Sequence, residues 1–212
     1  MWDVEFTRIL IPALLSGLWV TLQATVFGYA LALVLGLAIA IVRRVPVVGS
    51  AVFVVMEFVR TTPLLVQLVF IFSLSGLSQV SPLVIGIVVL GVHYSAYTAE
   101  VYRSGIEGVA KGQWEACRAL SLPTYRVWGA VVLPQAIRKV IPALGNYLIA
   151  MFKDTPLLFA ISVPEMLSVA NGLGGQYFRF FEAFTLVGVA FLVVSVPSAV
   201  IIRRLERRYA AV

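Results

Sequence analysis

Five ionisable side chains, Glu57, Arg60, Glu100, Lys153 and Asp154, stand in or beside stretches that are otherwise almost free of charge. A charged group in a bilayer costs about 2.5–3.5 kcal/mol on insertion scales, so each one calls for a partner or a function. Glu57 and Arg60 are three residues apart, as are Glu100 and Arg103, and at that spacing helical side chains can pair. Lys153 and Asp154 are adjacent and project about 100° apart, so they cannot serve one partner. The chemistry within reach is recognition rather than bond-making. Planar Arg60 can take a carboxylate bidentately and Asp154 can take a cationic end, if packing brings their helices together. Tyr94, Tyr97 and Phe152 offer aromatic faces to a delocalised cation, although aromatics at helical spacing more often serve packing. Pro63 and Pro156 each free backbone carbonyls able to line a cavity.

Other chemistries fail on inventory. One Cys and one His cannot build a zinc or iron–sulfur site. No GxxxxGKS/T run occurs, so the chain carries no phosphate loop. An intramembrane serine protease needs a Gly-flanked nucleophile and a His base. His93 is the sole histidine, and Ser75-Gly76 belongs to an expected exterior turn.

The elements that must position these groups are membrane helices. The 212 residues are 61% hydrophobic and 12% charged, against roughly a quarter charged for a soluble domain. Charge-free runs at 9–42, 61–99 and 183–202 each reach the roughly 20 residues that cross a bilayer. The first would measure about 51 Å as one helix, so it must tilt, extend into the headgroups or begin as an interfacial segment before Pro12 and Gly17. The second is divided by a Ser-rich stretch from Ser73 to Pro82 with turn character. The pattern predicts an all-α polytopic membrane protein, one domain over 1–212, with five transmembrane helices at about 14–42, 52–73, 83–106, 138–163 and 183–204. The acidic start, Met1-Trp2-Asp3-Val4-Glu5, is unlike a signal peptide, so the first helix is expected to remain in the mature protein.

Five crossings put the ends on opposite sides. Arg43 and Arg44, then Arg103, Lys111, Arg118, Arg126, Arg138 and Lys139, then Arg203, Arg204, Arg207 and Arg208 fall on one face, against Arg8 and Arg179 on the other. The positive-inside rule then places the C-terminus in the cytoplasm and the N-terminus outside. Glu165 and Asn171 follow helix four on the outside, where a solvated loop and a protein contact are equally open readings. Helix one carries Ala24, Gly28, Ala32, Gly36 and Ala40 at every fourth position, a stripe that admits a second helix to backbone contact, preferably one of this chain.

About thirty residues, 107–137, are spent on one cytoplasmic segment. Within it Gly112 to Pro123 reads as a short helix with small Ala116, Cys117 and Ala119 and apolar Trp114, Leu120 and Leu122. It suits docking into another protein's groove; an amphipathic helix lying on lipid is the equal alternative.

Glu115-Ala116-Cys117, then Ser121, then Val132-Leu133-Pro134-Gln135-Ala136, resembles the EAA loop of ABC importer permeases. The surrounding chain resembles the polar amino acid permease family through Arg60-Thr61-Thr62-Pro63-Leu64-Leu65, the run from Ala96 to Ile106 and Lys153-Asp154-Thr155-Pro156-Leu157. Within it, Ile141 to Leu158 and His93 to Tyr97 look most like ectoine and hydroxyectoine permeases. The resemblance covers almost the whole chain. It implies a type I ABC importer (MetI-like) transmembrane domain that moves a small zwitterion, a polar amino acid or ectoine, by ATP-driven alternating access across a bacterial cytoplasmic (inner) membrane. It further implies a second permease chain, identical or different, a separate ABC ATPase and an extracytoplasmic solute-binding protein. ATP and Mg would sit on the ATPase, with no cofactor on this chain; membrane lipid is an expected contact and nucleic acid is not. Gly112, Glu115, Ala116, Cys117, Ser121 and Pro134 would couple to the ATPase, and Arg60, Asp154, Lys153, Glu100 and Tyr97 would line the substrate pathway. Two departures stand out. Cys117 replaces the second Ala of EAA, and Ser121 replaces the usual Gly, which suggests a helix end without a left-handed turn. The competing reading, a self-contained secondary transporter or channel, predicts inverted repeats or an acidic ion-coupling cluster, and neither is visible.

Overall fold

The structure is a computed structural model in which residues 2–74 and 79–210 are described. Residues 75–78, the middle of the expected Ser-rich turn, lie outside the described residues. Asp3 caps the first helix, α1 (Val4–Val42), by accepting the Phe6 N–H at 3.0 Å, a bond that holds the Asp3 carboxyl below its ordinary range. This helix starts ten residues ahead of the expected position 14. Phe6, Leu10 and Leu14 bury themselves against Ala170, Ala183 and Val187, so the segment before Pro12 packs as helix instead of lying in the interface.

The small-residue stripe of α1 is buried within the chain. It lies along α4 (Pro82–Glu107), where a Cβ on Gly28 would reach the Ile87 carbonyl and Leu90, and one on Gly36 would strike Thr98. That close approach lets the Thr98 hydroxyl donate to the Ala32 carbonyl at 2.8 Å.

The expected helix at 52–73 is two helices, α2 (Val48–Thr61) and α3 (Leu64–Phe72), bent by 98° at Thr62-Pro63. Thr62 is extended, as a residue before proline prefers, and Pro63 cannot donate to the Val59 carbonyl four residues back. Gln67 fills that gap: its Nε2 donates to Val59 at 2.7 Å and to Thr62 at 3.2 Å. The carbonyl freed by Pro156 is likewise taken, since Thr155 Oγ1 donates to Phe152 at 2.7 Å. Neither of these freed carbonyls is left over to line a cavity.

After α4 come the short α5 (Lys111–Ala119) and a single turn, α6 (Thr124–Arg126). A π-helical segment, Val127–Val132, follows and runs into α7 (Leu133–Asp154). The wide π turn falls where Pro134 withholds its hydrogen bond from the Ala130 carbonyl. A 3-10 segment, Thr155–Ile161, continues α7, and the fourth crossing runs over Thr124–Ile161, starting fourteen residues before the expected 138 and ending two before 163. α8 (Met166–Tyr177), which the pattern did not foresee, precedes α9 (Phe180–Ala210). Among the described residues, four helical stretches are long and apolar enough to cross a membrane, and the bent α2–α3 pair gives a fifth if it is one span.

Two ends of the bundle emerge. At one, Asp3 meets Arg179 at 3.0 Å, tying the start of α1 to the α8–α9 junction. At the other, Arg43 reaches Glu100 of α4 at 2.7 Å and Arg44 covers Trp128.

Candidate functional site

The polar heart of the membrane region is built by α2, α4 and α7. Arg60, in the last turn of α2, pairs with Glu57 at 2.8 Å, and its guanidinium carbon lies 5.4 Å from the centre of the Tyr97 ring. Its Nε is buried without a hydrogen-bond partner among the described residues. A cavity of about 350 Å³ opens beside it, lined by Arg60, Tyr97, Glu100, Ser104, Lys139 and Tyr147 among others.

The Tyr97 ring is part of an aromatic group. It lies 5.4 Å from Tyr147, 5.4 Å from His93 and 6.0 Å from Tyr94. Tyr94 donates its hydroxyl to Asp154 Oδ2 at 2.7 Å. The two charges expected to bracket a zwitterion are thus joined through two tyrosines: Asp154 to Tyr94, Tyr94 to Tyr97, Tyr97 to Arg60. His93 is held from behind by Gln67, whose Oε1 lies 3.0 Å from Nδ1.

Other expected pathway residues sit differently. Glu100 lines the cavity but is engaged by Arg103 and by Arg43, and Arg103 also bonds to Glu107, forming a chain of charge across the α1–α4 end. Lys153 is exposed and does not line the cavity, and its offset of about 100° from Asp154 keeps the two side chains from sharing a partner. Phe152 is buried and packs on Phe191 at 5.0 Å, which removes it from the aromatic faces available to a ligand. Glu165 is not in a solvated loop. It is fully buried and caps α8, accepting the Leu167 N–H at 2.8 Å and the Ser168 N–H at 2.6 Å. Burial pushes its carboxyl up to about 7. Sequence reading missed Tyr147, Gln67 and the role of His93; the polar amide four residues after Pro63 was the available signal for Gln67.

At the end of the bundle that holds Arg43 and Glu100, α5 presents Gly112, Glu115 and Ala116 to the outside, and nothing lies near Gly112. Cys117 points the other way, buried over a recess of about 570 Å³ that also touches Arg44, Glu107 and Arg118. Its substitution for Ala is therefore absorbed beneath α5 and leaves the exposed face unchanged. Ser121 does adopt the left-handed turn, with φ 48°, contrary to the expectation drawn from its side chain. The Ser121 N–H donates to Arg118 and the Leu122 N–H to Cys117, at 2.9 and 3.0 Å, the paired bonds of a Schellman ending. Those bonds, with Pro123 next, hold Ser where Gly is the usual choice. Pro134 is exposed at the first turn of α7.

Comparison with known proteins agrees with this layout. Residues 32–211 match the family model described as the binding-protein-dependent transport system inner membrane component. The "Probable amino-acid ABC transporter permease protein y4tG" of Sinorhizobium fredii is 40% identical over 95% of this chain and 89% of its own length. The glutamine transport system permease protein GlnP of Escherichia coli strain K12 is 33% identical over 93% of each chain. Among solved structures, one described as an amino acid ABC transporter with histidines superposes with a TM-score of 0.90 at 30% identity, covering 98% of this chain and 99% of that one. An inward-facing form of the MetNI methionine ABC transporter shares the fold, with a TM-score of 0.75 at 18% identity over 92% and 97% of the two chains.

Proposed function

Since this chain belongs to the family of binding-protein-dependent transport system inner membrane components, we propose that it carries a small zwitterion through the membrane by way of the Arg60–Tyr97 cavity, driven by an ATPase docked on α5. The chain is the multi-pass inner-membrane permease of an ABC importer with the type I transmembrane fold, and is not itself an enzyme. ATP and Mg belong to the partner, and a second permease chain completes the pathway. Exposed Lys153, with Asn146 one heptad before it, marks the polar side of α7 that such a chain would cover, because a bare lysine in hydrocarbon is costly.

The observation that carries the substrate reading is the Arg60 guanidinium. It is half satisfied by Glu57, backed by Tyr97 and open to the cavity, and so has donors free for a carboxylate. Asp154, reached through Tyr94, supplies the opposite charge. The names of the relatives favour a polar amino acid; the resemblance of 141–158 to ectoine permeases keeps a cyclic zwitterion as the second candidate. The positive-inside distribution favours a cytoplasmic C-terminus and an external N-terminus.

The test is purification from detergent of wild type and Glu115→Arg, followed by mass spectrometry of the co-purifying chains. An ATPase and a second permease with the wild type, and loss of the ATPase alone from the variant, support the reading. A chain that purifies without any ATPase overturns it in favour of a self-contained transporter or channel.

A further inference from the structure

Among the described residues, α5 has little hold on the rest of the molecule. Its apolar side rests on the π-helical segment, where Trp114 meets Trp128 edge to face with ring centroids 5.5 Å apart. Val109, Val132 and Ala136 are buried beneath the pair. Trp128 has a second contact. The guanidinium carbon of Arg44, from the turn that ends α1, lies 4.6 Å from the Trp128 ring centre. Trp128 thus touches both α5 and the turn that ends a span more than eighty residues before it in sequence.

That position has mechanical consequences. α1 lies along the whole of α4 and also packs on α7. Its cytoplasmic end is gripped twice. Arg43 is bonded to Glu100 and stacked over Phe53 of α2 at 5.0 Å, while Arg44 holds Trp128. The linker Gly108–Ala110 and the turn at Ser121 would let α5 move without α4 or α7 following rigidly. A ring in contact with both elements opposes such slippage.

We propose that Trp128 is a positioning residue that ties α5 to the cytoplasmic end of α1 through Arg44, so that displacement of α5 moves the first span with it. The proposal rests on the reading of α5 as the ATPase-docking helix. Arg44 supplies a cation over the ring, an attraction that does not require a buried partner, and Trp114 supplies the edge contact from the moving side. The π-helical segment that carries Trp128 provides the conformational latitude such a joint needs.

The experiment uses the purified permease–ATPase assembly with Cys117→Ala and a reporter thiol at Val45→Cys, an exposed position beside Arg44. The rate of thiol labelling is measured with ATP plus vanadate and with ADP. The expected result is a nucleotide-dependent rate in the parent that falls about ten-fold in Trp128→Leu, the scale of one aromatic contact plus one cation–π contact. Trp128→Phe, which keeps a ring, retains most of it. ATP hydrolysis and co-purification of the ATPase persist in all three, a separation that a merely structural role for Trp128 would not produce. Arg44→Ala, on an exposed side chain, repeats the loss if Trp128→Leu does not assemble, and Arg44→Lys restores it. Unchanged nucleotide dependence in Trp128→Leu or Arg44→Ala overturns the proposal, as does a parent assembly that hydrolyses ATP with no change at Val45→Cys. Absence of any co-purifying ATPase defeats the docking reading itself and is distinguishable from both.

Discussion

The Tyr94 hydroxyl and Asp154 Oδ2 are 2.7 Å apart, a bond that joins the middle of α4 to the last turn of α7. Tyr94 is buried, so the carboxylate depends on it for a donor in a region poor in water. Tyr94→Phe should cost about 1.5 kcal/mol, the lower range for a hydrogen bond to a charged group, because Asp154 is only half-buried, visible as lower thermal stability in detergent. Asp154→Asn should lose uptake while the ATPase remains bound. Unchanged uptake in Asp154→Asn would leave that carboxylate a packing group only.

Arg60→Lys keeps the charge but removes the planar fork that can hold a carboxylate at two points. The apparent KM for uptake should rise roughly ten-fold, the lower range for a lost hydrogen bond to a charged group, with Tyr97 still in place. Equal KM values for the two proteins would place the carboxylate elsewhere.

Ser121 sits at φ 48°, where a side chain is disfavoured. Ser121→Gly should stabilise the α5 ending by about 0.5–1 kcal/mol, after allowing for the greater freedom of glycine in the unfolded chain. Hydrogen exchange of the Leu122 amide, bonded to the Cys117 carbonyl, should slow accordingly; faster exchange would contradict the Schellman assignment.

Burial raises the Glu165 carboxyl from its ordinary 4.5 to about 7 in the folded protein. Because the folded carboxyl holds its proton more tightly, the native state binds more protons across that window and stability falls as pH rises through it. The penalty is absent below about 4.5 and complete above about 7. Glu165→Gln should flatten this part of the stability profile while keeping a cap on α8. A profile as steep as wild type would assign the titration to another group.

Gly36 allows α1 to lie on the backbone of α4; a Cβ there would reach the Ala99 nitrogen and Ser95 carbonyl, each at 3.0 Å, and collide with Thr98. Gly36→Leu should cost on the order of 3 kcal/mol or more by overpacking and lower the yield of assembled protein. Normal assembly would mean that the α1–α4 contact yields more readily than its spacing suggests.

Much of this was legible in the residues. Long charge-free runs dictate spanning helices because water cannot satisfy backbone groups in hydrocarbon, and the four-residue period of Ala24 to Ala40 specified a close helix contact, here along α4. The three-residue spacing of Glu57 and Arg60 allowed the ion pair that forms. The break inside 52–73 could be suspected from Pro63, but its 98° angle and its repair by Gln67 depend on where α4 places His93. For Glu165 a solvated loop and a protein contact were equally open; packing of the α8 start onto α1, where a Cβ on Gly17 would come within 2.9 Å of Met166 Cα, buries it.

The sequence by itself determined that this is a helical membrane protein of the ABC permease kind, because composition, charge spacing and the loop motif are properties of neighbours along the chain. Only the tertiary structure decided which charged groups share a cavity. Arg60, Glu100 and Lys139 line it from three helices separated by dozens of residues, and their meeting depends on how far small residues let those helices approach and how they rotate when packed. It also decided that Cys117 faces inward and Glu115 outward, since the side of α5 that is covered is set by Trp128 and the turn of α1, not by the pattern of α5 alone.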